Sequence, residues 1–340
     1  MADINVLMVG GRRAGKTSLL AAVKACCDEK MLKQLTVSAV SGADSMNDKV
    51  EEMKDYFSEP QYKDKMFFEP DGSPSDNPSE YEFEVIVNQK NSSYTIGFTD
   101  VPGEYYGSNE SGEFTEQEFE EIQSYIDDQV RNSQVFLIAI DTPHLMEKTD
   151  RTTGYGVGHE WFNRVNQITD LFKHAFQDAQ NRMVLFVPIK CERYLDKMDK
   201  VAERVEAGYA ELITYLTTGP VGELCTVTIA PIISLGGASF LRFQNNDWHY
   251  VGEYHYNLDP NKREYKPQNC EQPLMLILQY LLDTAKKQRN NQNVVIKWFQ
   301  ERILGQARLA DLETCEKEIQ SLVITDKKQG FVQLHPKREG

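Results

Sequence analysis

The sequence predicts an α/β protein in which helices cover both faces of a mostly parallel sheet. A short apolar strand pattern at 4–9 stops at two glycines and continues into a helical pattern at 16–28. From residue 115 onward, strand and helix patterns alternate, which is typical of βαβ units. Strand-like runs at 81–88 and 93–99 are joined by four polar residues, too few for a crossover, so they predict an antiparallel hairpin. The expected fold is therefore a three-layer sandwich with one antiparallel strand.

The other elements follow from the periodicity of apolar residues. The alternating part predicts helices at 115–132, 159–180 and 195–217 and strands at 134–140, 183–189 and 226–233. An aromatic-rich hairpin is expected at 239–256, packed at the edge of the core. Helices at about 272–288, 292–304 and 307–322 would then form a C-terminal helical extension.

Composition limits the partners and the compartment. Acidic residues number 52 against 37 basic ones, and the formal charge of −15 opposes binding to a nucleic-acid backbone. The six cysteines have no paired Cys-x-x-Cys spacing, so neither a zinc site nor a disulfide framework is expected. A signal sequence and a long apolar span are not recognisable. We therefore expect a cytoplasmic protein that binds neither nucleic acid nor membrane.

The most specific signal is a phosphate loop between the first strand and the first helix. The run GGRRAGKT at 10–17 fits the pattern G-x-x-x-x-G-K-[ST] in the context that the pattern requires. Backbone N–H groups and the positive end of the helix dipole would hold phosphate oxygens there. Lys16 is expected to reach the β- and γ-phosphates and Thr17 to ligate Mg²⁺. The predicted nucleotide contacts in this loop are Gly10, Arg13, Ala14, Gly15, Lys16, Thr17 and Ser18.

A second motif, DVPG at 100–103, follows the second strand of the predicted hairpin. A carboxylate at this position can hold the Mg²⁺ shell, and a following glycine can offer its N–H group to a γ-phosphate. We therefore predict that Asp100 is a metal residue, together with Thr17, and that Gly103 binds phosphate.

The two motifs together distinguish this chain from other phosphate-loop proteins. In nucleotide kinases and RecA-like ATPases the sheet around the loop is typically all parallel, whereas here a hairpin carries the metal aspartate. With its runs INVLMVGGRRAGKTS and IGFTDVPGE, the region 4–236 resembles the Ras-like, translation-factor-related class of P-loop GTPases. The resemblance implies a P-loop NTPase fold, GTP and GDP as ligands, and Mg²⁺ as cofactor. With DVPGEYY and KPQNCEQPL, the chain is also similar to divergent bacterial GTPases of multi-protein conflict systems.

The family reads the base through Asn-Lys-x-Asp after its fifth strand. The matching place here is Ile189-Lys190-Cys191-Glu192, so the resemblance implies that Lys190 lies over the base and that Glu192 accepts hydrogen bonds from guanine. Ser234, at the place of the family's Ser-Ala-Lys loop, would contact the base edge. Because Ile189 replaces the asparagine, the choice between guanine and adenine stays open.

Two regions are expected to respond to the nucleotide and to meet a protein effector or regulator. The first is an enlarged switch at 36–80 with a helical piece near 44–57, for which a passive insertion is the alternative. The second is the polar segment 104–117. A first-switch metal ligand is expected among Ser73, Ser75 and Ser79, without a choice among them.

Hydrolysis is expected to be slow, with Lys16, Glu104 and Arg12 as the catalytic residues. Glu104 stands where the family commonly places a glutamine that orients water, and Arg12 stands where many members keep a small residue. An inward Arg12 could stabilise transition-state charge, whereas a solvent-exposed one would do nothing. The alternatives are an ATPase or nucleotide kinase, or an interaction module that binds nucleotide without turnover.

The predicted organisation is one large domain with additions. A P-loop GTPase domain would occupy 1–237, a C-terminal hairpin and helices at 238–325 would pack on it, and a polar tail would occupy 326–340. The oligomeric state is not predicted.

Overall fold

The fold was analysed in a computed structural model of the chain. The described residues are 2–11, 14–29, 35–58, 66–67, 77–87, 93–106, 114–147, 159–176, 180–246, 249–257, 259–287 and 309–336.

The strands and helices of the described residues are numbered in chain order. The strands are β1 (Ile4–Gly10), β2 (Leu35–Ser41), β3 (Met66–Phe67), β4 (Ser79–Val87), β5 (Ser93–Asp100), β6 (Val135–Asp141), β7 (Arg182–Ile189), β8 (Cys225–Ile229), β9 (Ala238–Asn246), β10 (His249–Tyr256) and β11 (Val332–His335). The helices are α1 (Lys16–Glu29), α2 (Ala43–Ser58), α3 (Glu116–Asn132), α4 (Thr142–Met146), α5 (His159–Phe162), α6 (Val165–Ala175), α7 (Met198–Gly208), α8 (Ala210–Thr217), α9 (Gly219–Leu224), α10 (Gln272–Lys287) and α11 (Leu309–Leu322).

The main sheet is mostly parallel, as the sequence predicts. Its order is β11-β8-β7-β6-β1-β5-β4-β2. Strand β1 lies at the centre, parallel to both β5 and β6, and β7 and β8 continue in the same direction. Strands β4 and β5 form the expected antiparallel hairpin. In a sheet of this kind, ligands bind beyond the carboxyl ends of the parallel strands, which locates the candidate site.

Helices cover both faces of the sheet because alternate residues of the central strand point to opposite sides. Ile4 and Met8 of β1 belong to a core shared with α1 and α10. Leu7 and Val9 belong to the opposite core, shared with α3, α6 and α7. The result is the three-layer α/β sandwich, with α10 in the same layer as α1.

The aromatic hairpin of β9 and β10 forms its own small sheet with β3 instead of extending the main sheet. Its inner face packs against α2 through a cluster that includes Met53, Phe240 and Tyr254. Met46, earlier on α2, packs in the core beside α1. The insert at 36–80 is thus packed into the fold along α2 and paired into the main sheet along β2.

Two predicted helices are interrupted by tertiary contacts. The helix expected at 159–180 breaks between α5 and α6, because Asn163 uses its side-chain amide to bond the backbone N–H and C=O of Asp141. Arg164 then adopts a left-handed conformation with φ of 53°. The helix expected at 195–217 is divided at Tyr209, a buried residue whose hydroxyl donates to the Asn163 carbonyl.

The ends of the chain also differ from expectation. The polar tail at 326–340 contains β11, which pairs antiparallel with β8 and gives the sheet a second antiparallel strand. Strand β2, at the other edge, was not expected from the sequence. The helix predicted at 292–304 lies outside the described residues. Among the described helices, none combines the length and apolar character that crossing a membrane requires.

Candidate nucleotide-binding site

The phosphate loop brings three predicted residues together at the carboxyl ends of β1 and β5. The Thr17 hydroxyl donates a 2.8 Å hydrogen bond to Asp100 Oδ2, across 83 residues of sequence. Lys16 Nζ lies 3.7 Å from Asp100 Oδ1 and 3.5 Å from the Gly10 carbonyl oxygen. The parallel register of β1 and β5 produces this proximity, because Met8 pairs with Asp100.

These groups fit Mg²⁺ and a phosphate chain. Thr17 and Asp100 place two oxygen donors side by side, and hard oxygen ligands suit Mg²⁺. The Lys16 side chain is only 8 % exposed. A charge so far from solvent costs free energy unless an anion pairs with it. The Mg²⁺ site predicted from Thr17 and Asp100 is therefore chemically reasonable, with Lys16 beside it for phosphate.

Two glycines let the loop pack closely on its surroundings. A Cβ on Gly11 would lie 1.9 Å from the Phe162 carbonyl oxygen, so a side chain there would collide with backbone. Gly15 has φ of +101°, a conformation that L side chains rarely adopt, and Ile189 approaches it closely. Ala14 and Ser18 lie in or just after the loop, whereas Arg12 and Arg13 lie outside the described residues.

The turn after β5 is anchored beneath the phosphate loop. Gly103 and Glu104 begin a short 3-10 helix, Gly103–Tyr106. The buried Tyr106 hydroxyl donates to the carbonyl oxygens of Met8 and Val101, at 3.1 and 3.4 Å. Burial and the nearby Asp100 carboxylate hold the pKa of Tyr106 well above its usual value, so the hydroxyl stays a donor. This anchor fixes the start of the predicted second switch, whose end, from 116, belongs to α3.

One first-switch candidate, Ser79, lies beside Asp100, the predicted metal residue. Ser79 begins β4 and pairs with Asp100 across the β4–β5 ladder. Side chains of residues directly opposite each other in a ladder point to the same face of the sheet. Ser73 and Ser75 lie outside the described residues.

The predicted base-reading residues meet at the ends of β7 and β8. The Lys190 backbone N–H donates to Ser234 Oγ at 3.2 Å, and Glu192 Oε1 accepts a 2.6 Å hydrogen bond from the Leu235 N–H. Burial raises the pKa of Glu192 to about 7, although the Leu235 N–H bond opposes this shift. No described group hydrogen-bonds the buried Oε2 of Glu192. The backbone N–H groups of Glu192 and Gly236 also lie near this carboxylate and oppose the same pKa shift.

Asp141, which the sequence analysis did not single out, lies beside the predicted base-reading residues. It ends β6, is 2 % exposed, and accepts a 2.6 Å hydrogen bond from Lys190 Nζ. His144 lies against the same carboxylate, with Nδ1 2.7 Å from Oδ1. The strand-end rule that located Asp100 could have found Asp141, because β6 is the other direct neighbour of β1.

Comparison with known proteins gives one decisive match. The family model described as DO-GTPase2, Double-GTPase 2, matches residues 4–232, which is more than half of the chain. A comparison with curated protein sequences finds no match.

Solved structures give weaker likenesses. The S. cerevisiae Ski7 GTPase-like domain bound to GTP is 14% identical, with 68% of this chain and 42% of that chain covered and a TM-score of 0.36. The same domain bound to GDP and inorganic phosphate is 15% identical, with coverages of 68% and 43% and a TM-score of 0.34. This chain thus spans about two fifths of the solved chains it matches. Scores this low carry no argument about function.

The family match covers the region that the sequence resemblance indicated, and it begins at β1 and ends just after β8. It contains the phosphate loop, Asp100 and the loop of Lys190 and Glu192. The chain belongs to the Double-GTPase 2 family, and its main sheet with the surrounding helices is a GTP-binding domain of that family.

Proposed function

We propose that this protein is a Mg²⁺-dependent guanine-nucleotide switch that hydrolyses GTP slowly. The observation that carries the proposal is the meeting of Lys16, Thr17 and Asp100 at adjoining strand ends. In this arrangement Lys16 neutralises phosphate charge, and Thr17 and Asp100 hold the metal ion. Bound Mg²⁺ would supply further charge neutralisation at the phosphates.

Guanine selectivity is assigned to the Glu192 carboxylate. Guanine presents N–H donors where adenine presents an acceptor, so a buried carboxylate oxygen favours guanine. Oε2 of Glu192 is such an oxygen, and Oε1 is held by the Leu235 N–H. The ATPase and nucleotide-kinase alternatives are less favoured because they need a pocket that accepts adenine.

The switch function is assigned to the segments beside the γ-phosphate position. Glu104 follows Gly103 directly and would orient or activate the attacking water. Met53 on α2 packs against the C-terminal hairpin. A rearrangement of the first switch would therefore be transmitted through α2 to the hairpin. A protein effector or regulator would read these segments, and the location would be the cytoplasm.

Single-turnover hydrolysis of GTP and of ATP, measured side by side, tests the proposal. We expect slow GTP cleavage that requires Mg²⁺ and little ATP cleavage. Lys16→Ala or Thr17→Ala should weaken binding or turnover about tenfold or more, because charge-assisted contacts and a metal ligand are lost. Lys24→Ala, on the same helix but paired with Asp28, is the matched control and should behave as wild type.

Each other outcome identifies a rival function. Equal cleavage of both nucleotides, or cleavage of ATP alone, would favour the ATPase or kinase reading. Tight GTP binding without any cleavage would favour an interaction module. Wild-type behaviour of both Lys16→Ala and Thr17→Ala would refute the assignment of the phosphate site.

A further inference from the structure

The ion pair between Asp141 and Lys190 joins the ends of two neighbouring strands beside the phosphate loop. Asp141 ends β6 and Lys190 follows β7, and their charged atoms are 2.6 Å apart. Lys190 is bound at two further points. Its backbone N–H donates to Ser234, and its Cε lies 3.6 Å from the place where a Cβ on Gly15 would be. The end of the Lys190 stem therefore lies beside Gly15 of the phosphate loop, and its ammonium is held by Asp141.

The backbone conformation of Lys190 shows that the lysine is constrained. Its φ of 60° lies in the left-handed region, which is uncommon for residues other than glycine. The preceding residue, Ile189, is buried against Gly15 and has no hydrogen-bonding side chain. The carboxylate of Asp141 bonds the end of the lysine side chain at 2.6 Å and so orders it.

Asp141 is itself held in one orientation. Its Oδ1 accepts a 3.0 Å hydrogen bond from the His144 backbone N–H and lies 2.7 Å from His144 Nδ1. The His144 ring stacks on Phe162 with centroids 3.5 Å apart, and Phe243 of the hairpin lies at 4.3 Å. Burial opposes the charge of Asp141, but Lys190 and His144 outweigh it and lower the pKa of Asp141 below its usual range. The carboxylate is thus a buried anion held by His144, whose ring packs against two aromatic rings.

We propose that Asp141 is a positioning residue for nucleotide binding, which holds the Lys190 stem extended over the phosphate loop as a preformed platform for the base. This inference rests on the proposed function, because it assumes that a nucleotide base lies against Lys190. A free lysine side chain has many rotamers, and ordering it on binding reduces affinity. Because Asp141 orders the chain beforehand, the bound nucleotide avoids that cost.

The alternative is that Asp141 serves only the fold, since it is also the N-cap of α4. Asp141→Asn separates the two roles, because asparagine caps helices as well as aspartate but carries no charge. Lys190→Met is the partner variant, which keeps an apolar stem and removes the ammonium. Glu203→Gln, which breaks the exposed pair between Lys200 and Glu203, is the matched control.

The experiment measures dissociation constants for GTP and for inorganic tripolyphosphate, both with Mg²⁺, in wild type, both single variants, the double variant and the control. We expect each single variant to bind GTP about tenfold more weakly. The double variant should be no weaker than the worse single variant, because both changes remove one interaction. Affinity for tripolyphosphate, which has no base, should stay within about twofold throughout, as should GTP binding by the Glu203→Gln control.

Three results would overturn the inference while leaving the proposed function intact. They are GTP binding by Asp141→Asn within about twofold of wild type, an equal loss of tripolyphosphate binding, and effects of the single variants that multiply in the double variant. A wild-type protein that does not bind GTP would overturn the proposed function and this inference together.

Discussion

Binding of GTP should become about tenfold tighter between about pH 6 and pH 8, and Glu192→Gln should remove that dependence. The wild-type carboxylate is buried to 7 % exposure, and burial raises its pKa to about 7. Guanine offers N–H donors, so it binds the ionised carboxylate and not the protonated acid. Binding therefore selects the ionised form, and the protein releases a proton.

The magnitude follows from the fraction of ionised Glu192 in the free protein. With a pKa of about 7, roughly one tenth is ionised at pH 6 and roughly nine tenths at pH 8. Apparent affinity scales with the binding-competent fraction, so the change across this range is about tenfold. GTP affinity should rise with pH because the pKa of Glu192 is raised. A carboxyl group with such a pKa gains its charge as the pH rises through neutrality.

Isothermal titration calorimetry at several pH values, in buffers of different ionisation enthalpy, measures both the affinity and the proton release. Nucleotide phosphates also titrate near neutrality. The pH dependence of GTP affinity in Glu192→Gln is therefore subtracted from that in wild type. At pH 8 the variant should bind GTP about tenfold or more weakly, because a charged acceptor is lost. An identical pH slope in wild type and Glu192→Gln would show that Glu192 does not meet the base.

Two further predictions concern hydrolysis and the insert. Arg12→Ala should change the single-turnover rate of GTP hydrolysis and leave GTP affinity nearly intact, because a group that acts only in the transition state leaves ground-state binding alone. Unchanged rates in both Arg12→Ala and Glu104→Gln would assign the hydrolysis machinery to a partner protein. Met53→Ala should lower the free energy of unfolding by about 2 kcal/mol or more, because Met53 is 3 % exposed between α2 and the hairpin. Denaturant unfolding measures this change, with the exposed Lys54→Ala as control. An equal stability of the two variants would show that the hairpin does not hold α2.

Local patterns in the sequence predicted the elements that bring Lys16, Thr17 and Asp100 together. The strand–glycine–helix order around Lys16 and the short hairpin that ends at Asp100 depend on residues that are close together in the chain. Hydrophobic period, turn residues and motif spacing report such local structure directly. The mostly parallel sheet and the family followed from the same signals.

Contacts between distant segments decided the features of the structure that the sequence did not predict. Asp141 and Lys190 are 49 residues apart, and the order of strands in the sheet brings them together. The spacing of apolar residues predicts a continuous helix around Asn163. The helix is broken there because the Asn163 amide bonds the backbone of Asp141, 22 residues away. Strand β11 lies in a stretch that reads as a polar tail, since its four residues become a strand only by pairing with β8. By itself the sequence predicted the GTPase class and the fold around the phosphate loop, because these signals are local. The surroundings of Lys190 and Glu192 were decided only by the tertiary structure, because hydrogen bonds between distant residues leave no periodic signal in the chain.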